Sequence, residues 1–149
     1  MICSSYGEAP SQFVRLHLPR ETVPTYCTTF ILVHGGYWKN KYGVDNAAMS
    51  ALPLALTNRS YAVVEVEYRR RDDDGGGWPG TCDDMCSALS FIKSQQHVAG
   101  WSRVDLSRLV LLGHSAGGHG ALVLAHRAAA ESSSLPVPML TVRVCRDFE

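Results

Sequence analysis

A chain of 149 residues has room for one domain with a sizeable core, and its 14 Lys and Arg balance its 14 Asp and Glu to a net charge of zero. The basic residues form no long cluster, which argues against nucleic acid or an acidic membrane surface as a partner. Five cysteines at irregular spacing suit free thiols, and although Cys82 and Cys86 stand four apart, no neighbouring His or Cys pair completes a tetrahedral zinc set.

The first twelve residues, MICSSYGEAPSQ, carry neither a basic n-region nor an apolar h-region, and no apolar run approaches a bilayer span. The chain therefore reads as soluble and cytosolic. Its first predicted element is Gln12 to Leu18, where apolar and polar residues alternate until Pro19, as in an outer strand with one wet face. Thr28 to Val33 is nearly all β-branched or apolar, the composition of a strand covered on both faces, and it runs into His34-Gly35-Gly36-Tyr37-Trp38. Residues 45 to 58 have near-helical apolar spacing, with Pro53 placed to kink or split the helix. Tyr61 to Tyr68 is the next strand.

A loop of charges and glycines follows from Arg69 to Gly80, and its Asp72 to Asp74 run behind three arginines reads as solvated and internally paired. Thr81 is then the expected N-cap of a helix, Asp84 its capping-box acid, and Met85, Leu89 and Ile92 its buried face. After a second loop around Gly100, an apolar strand starting at Leu109 stops at Gly113-His114-Ser115-Ala116-Gly117, and an Ala- and Leu-rich helix runs to about Ala130. Ala128 to Pro138 reads as a connection, and Met139 to Cys145 as one more short strand. Alternation of strand and helix predicts a mostly parallel sheet with helices on both faces, within a single domain over residues 1–149. No repeat or interdomain linker interrupts it.

Gly-x-Ser-x-Gly between a strand and a helix is the pattern of a nucleophile elbow. The strand carries Ser115 to the carboxyl edge of the sheet, and the flanking glycines permit a turn too tight for larger side chains. The Ala116 N–H then lies at a helix N-terminus, where partial positive charge suits an oxyanion.

Together with that elbow, Tyr6-Gly7 and Gln12, His34 to Trp38, Glu67-Tyr68-Arg69-Arg70, Gly75 to Gly80 and Gly118-His119 stand in an order that resembles the α/β-hydrolases. The set is most similar to the esterase and lipase-like branch that includes kynurenine formamidase (arylformamidase), and the likeness covers roughly residues 6 to 130. It implies an ester or amide hydrolase that works through a Ser, His and Asp triad without cofactor or metal. Ser115 would be the nucleophile, and the oxyanion hole would be built from the N–H groups of Ala116, Gly36 and Tyr37. His34 would hold its loop through hydrogen bonds. Gly35 would let that loop approach closely, and Tyr37, Trp38, Trp78 and Pro79 would line the pocket mouth or pack the loop.

The remaining histidines read as supporting residues. His114 should point away from Ser115 by strand alternation, His119 should buttress the elbow, and His17 and His97 should lie on the surface. Nineteen residues follow Ala130, space for one strand, whereas the family order requires an acid and then a histidine on later strand ends. Asp147 is the candidate acid, and no histidine comes after it. The expectation is thus an α/β-hydrolase core with the C-terminal part of the fold missing and an uncovered sheet edge open to self-association. Three functions are compatible with it: a truncated hydrolase of weak or no activity, a minimal hydrolase with a base recruited from His119, His34 or a partner, and a noncatalytic domain that binds a partner. The substrate would be a small carboxylic ester or a formamide.

Overall fold

β-Branched and apolar residues fill Cys27–Val33 (β3), Ala62–Val66 (β4) and the second half of Val104–Gly113 (β5), and these strands form the parallel centre of a five-stranded sheet. The structure is a computed structural model that describes residues 1–20 and 26–131. Ile2–Ser5 (β1) and Phe13–His17 (β2) add antiparallel strands on one side, giving the order β1-β2-β4-β3-β5. The sheet is therefore mixed. Among the described residues β1 and β5 are its two edge strands.

Helices cover both faces, as the alternating pattern predicts. Leu52–Thr57 (α1) packs on one face with Leu32, Val63 and Met49, while Gly80–Ser94 (α2) and Ala116–Glu131 (α3) cover the other. The larger core lies on that second face, where Val14, Leu16, Ile31, Val33, Val64 and Val66 meet Met85, Ala88, Ile92, Ala121 and Leu124. Each such fully buried aliphatic side chain contributes roughly 1.5–3 kcal/mol of transfer free energy. The burial is what aligns the carboxyl ends of β3 and β5.

Several local expectations are corrected. β1 is not marked by any apolar alternation in Ile2-Cys3-Ser4-Ser5, and it forms by pairing with β2 in the register Ile2 to Leu16. The helix expected over 45–58 shrinks to α1, with turns before it, because Pro53 can stand only in a first turn and disfavours helix before itself. α2 begins at Gly80 with Pro79 at its N-cap and no side-chain cap. Thr81 Oγ1 instead donates to the Arg69 carbonyl at 2.5 Å and accepts from the Gly77 N–H at 3.1 Å, and Asp84 pairs with Arg69. β5 starts at Val104, earlier than expected: after Thr28 pairs with Asp105, Thr29 pairs with Leu109, so residues 106–108 bulge out. Asp105 closes that bulge by accepting from Ser107 Oγ at 2.6 Å and Arg108 Nε at 2.6 Å. Asp147, the strand expected over Met139 to Cys145, and the connection beyond Glu131 lie outside the described residues.

Candidate active site

The chain leaves β3 toward α1 on one face and leaves β5 toward α3 on the other, although the two strands are neighbours. Such a reversal opens a crevice at the strands' carboxyl ends, the usual ligand position in a doubly covered sheet. Ser115 and the His34 to Trp38 loop face each other there. Ser115 has φ +49°, a left-handed conformation that is unfavourable for a residue with a Cβ and that forms only where its surroundings impose it. The imposing contacts are backbone. A Cβ on Gly117 would collide with the Val33 and His34 carbonyl oxygens, and a Cβ on Gly35 would stand 2.7 Å from the His114 oxygen and 3.1 Å from Ser115 Cβ. Gly117 N–H donates to the His114 carbonyl at 2.8 Å, while the N–H groups of Gly118 and His119 converge on the Ser115 carbonyl at 2.9 and 3.3 Å. Ala116, the first residue of α3, is buried and has no carbonyl a turn earlier to receive its N–H.

The facing loop is strained as well. Gly36, Tyr37 and Trp38 have φ values of +127°, +55° and +55°, and among the described residues none accepts a hydrogen bond from the Gly36 or Tyr37 N–H. The loop is tied down at both ends. Lys39 N–H donates to the Gly36 carbonyl at 3.0 Å and Arg71 N–H to the Trp38 carbonyl at 3.0 Å. His34 is buried, stacked on Tyr68 with ring centroids 4.4 Å apart, and its carbonyl accepts from the Tyr68 hydroxyl at 2.6 Å. Its Nδ1 lies 2.7 Å from the Gly35 carbonyl and its Nε2 3.0 Å from Glu67 Oε1. Both ring nitrogens thus face oxygen acceptors, and neither offers a lone pair to Ser115. His34 is thus hydrogen-bonded both to its own loop and to Glu67.

Glu67 is the centre of this network, a role the sequence reading did not assign. Besides His34, its carboxylate accepts from the Val44 N–H at 3.0 Å, from the Tyr68 N–H at 3.2 Å and from Arg70 Nη1. Burial pushes the Glu67 carboxyl up, but the His34 hydrogen bond and charge, the Val44 N–H and Arg70 outweigh it and hold the group below its ordinary range. The available sequence signal was an acid directly after a strand of buried residues, Ala62–Val66. Tyr6, whose hydroxyl donates to the Glu67 carbonyl at 2.7 Å, is pushed upward mainly by burial. A second buried acid, Asp84, receives Arg69 Nη2 at 2.7 Å and Gln12 Nε2 at 2.7 Å. Tyr6, Gln12 and the Glu67 to Arg70 stretch, distant in sequence, therefore join behind one loop.

Trp38, Arg71, Gly77, Trp78, Thr81, Cys82 and His119 line an apolar cavity of about 240 Å³ beside the loop. His119, one turn into α3, is exposed, and its ring meets Trp38 edge-on at 5.9 Å, so it supports the loop that faces the elbow. Tyr37 and Trp78 are 70 % and 75 % exposed, leaving Trp38 and not Tyr37 as the aromatic that packs. The ring of His114 lies against Gly35. His97 is on the surface as expected, but His17 is half-buried, with Nε2 2.7 Å from Glu65 Oε2 on the neighbouring strand. Asp72 and Asp73 pair with Arg71 and Arg70 as the loop's composition predicts. Among the described residues, no group of three or more His, Cys, Asp and Glu is placed to hold a metal ion. No described residue hydrogen-bonds Ser115 Oγ.

The fold and the crevice define an α/β-hydrolase core of esterase type. The sequence model of the BD-FAE family matches residues 14–139, and the chain belongs to that family. An AB hydrolase superfamily protein of Schizosaccharomyces pombe is 30% identical over 135 residues, covering 88% of this chain and 38% of its own length. A probable mitochondrial carboxylesterase 4 of Arabidopsis thaliana is 29% identical over 135 residues, covering 85% and 36%. Esterase B of Lactobacillus rhamnosis, solved with a tributyrin phosphonate inhibitor, matches with a TM-score of 0.65 at 29% identity, covering 82% of this chain and 38% of that one. The chain thus spans well under half the length of these relatives. No helix among the described residues is long and apolar enough to cross a membrane.

Proposed function

We propose that the chain carries the nucleophile and oxyanion half of a serine esterase, with Ser115 attacking the carbonyl carbon of a small carboxylic ester or formamide. The observation that carries this reading is the left-handed Ser115, held by a glycine-only contact between the turn after β5 and the end of β3. Attack would give a tetrahedral oxyanion, and the N–H groups of Ala116, Gly36 and Tyr37 are the donors available to it. Collapse of the oxyanion would expel the alcohol or amine, which takes up the proton given up by Ser115, and water would then hydrolyse the acyl-enzyme to the free acid and Ser115. Trp38 and Trp78 would receive an apolar or aromatic part of the substrate in the cavity between them, with Gly35 and His34 shaping the approach. Esterase B's inhibition by a tributyrin phosphonate supports a short-chain ester, and the resemblance to kynurenine formamidase supports a formamide. We place the enzyme in the cytosol and its self-association at the outer edge of β5.

The test is labelling of the purified chain with a fluorophosphonate probe, with p-nitrophenyl acetate hydrolysis followed in parallel. Labelling that Ser115→Ala abolishes is the expected result. A folded chain that never labels would sink the hydrolase reading. A second reading, a noncatalytic binding domain, draws on the Ser115 hydroxyl, which has no partner among the described residues, since a free serine is a poor nucleophile without a base. Unlabelled protein that still binds an aromatic ester in the Trp38 and Trp78 cavity would favour it.

A further inference from the structure

We propose that Glu67 is the positioning residue of the oxyanion loop: its carboxylate sets where the Gly36 and Tyr37 N–H groups stand relative to Ser115. The inference rests on the esterase reading for its catalytic consequence, but its structural half stands alone. Three successive residues of the loop have positive φ, so the loop has no local preference for its observed shape and must be held from outside. The strand before it ends at Val33, directly before His34, and beyond Trp38 the chain returns to Val44. Both points are bound to the same carboxylate, His34 through Nε2 and Val44 through its N–H.

Charge, and not size alone, suits Glu67 to the task. Its two oxygens accept from four donors: His34 Nε2, the Val44 and Tyr68 N–H groups, and Arg70 Nη1. A glutamine has one acceptor oxygen and must turn an NH₂ toward at least one of those donors. Arg70 is itself held by Asp73, which also accepts from the Arg70 N–H at 2.8 Å, so the cation cannot simply leave. Glu67→Gln keeps the volume and apolar contacts while breaking the link between loop and carboxylate. The Tyr68 hydroxyl and its ring stacking still hold the His34 backbone, and the elbow glycines are untouched.

Amide hydrogen exchange on the full chain, read residue by residue, tests the structural half. In Glu67→Gln the Lys39, Val44 and Arg71 N–H groups, which close the loop, should exchange at least about tenfold faster, with Leu112, whose N–H faces β3 in the parallel ladder, unchanged. The catalytic half predicts fluorophosphonate labelling slower by at least about tenfold, with kcat for p-nitrophenyl acetate reduced and KM little changed. Unaltered exchange at the three amides overturns the proposal. So does equal acceleration at Leu112, which would make Glu67 a contributor to global stability only. If Glu67→Gln does not fold, His34→Phe keeps the ring on Tyr68 and removes the Nε2 link, and the same exchange pattern at Lys39 and Arg71 decides. A wild type that never labels removes the esterase reading while leaving the exchange result to judge Glu67.

Discussion

His34 and Ser115 stand at the ends of adjacent parallel strands, and their surroundings are opposite. His34 is buried, with both ring nitrogens, its carbonyl and its ring face all engaged. Ser115 is half-buried, strained in backbone, and its hydroxyl meets no described partner. One strand end is over-determined so that its loop has a single shape. The other is left chemically open on a backbone that cannot relax. The difference separates the parts that hold the proposed site from the part proposed to react.

The contrast is broken most completely at the reacting end. Ser115→Ala should leave no fluorophosphonate labelling while preserving the circular dichroism spectrum and the unfolding midpoint within about 0.5 kcal/mol. Gly117→Val should do the reverse of a silent change, since any Cβ there meets two carbonyl oxygens of the β3 end. A loss of roughly 3 kcal/mol or more in urea unfolding, or insoluble protein, is expected, and a near-neutral result would mean the two strand ends are not in contact.

The holding end responds to acid. A carboxylate held below its ordinary value of 4.5 adds stability that is fully present above that value and is lost as pH falls through its lowered native value. Unfolding followed from pH 6 to about 2 should therefore show a downward slope with acid that is shallower in Glu67→Gln, and equal slopes would deny the carboxylate its role. Trp38→Ala should raise KM for an aromatic ester by several-fold, about 1 kcal/mol, with a smaller effect on an acetyl ester. Smallest is Asp72→Asn, whose exposed pairing with Arg71 should matter by less than about 0.5 kcal/mol in the same unfolding experiment.

What the sequence made legible was whatever depends on long apolar runs or on backbone constraint. Ala62–Val66 is buried throughout, and Thr28 to Val33 and residues 109–113 before Ser115 bury one face fully and the other at least in part, so their composition leaves little alternative. The elbow is legible because glycine at 113 and 117 answers a steric need. β1 was not, because Ile2 to Ser5 becomes a strand only through its partner. Thr81 and Asp84 carry a capping pattern, but Thr81 instead donates to the Arg69 carbonyl, and Asp84 is taken by Arg69 and Gln12. His17 looked like a surface histidine because its partner Glu65 lies 48 residues away. Glu67 was visible as a residue and not as a hub, since two of its four donors, His34 and Val44, are brought to it by chain reversals that no local window contains.

The interlocking of Gly35 and Gly117 has a consequence for recombining such proteins. Each glycine occupies space against the other strand's end, so the loop after β3 and the turn after β5 form a lock and its key. Grafting either one alone from a relative with a different spacing would bring backbone into backbone, with no side chain to yield. The two segments are transferable between scaffolds only as a matched pair.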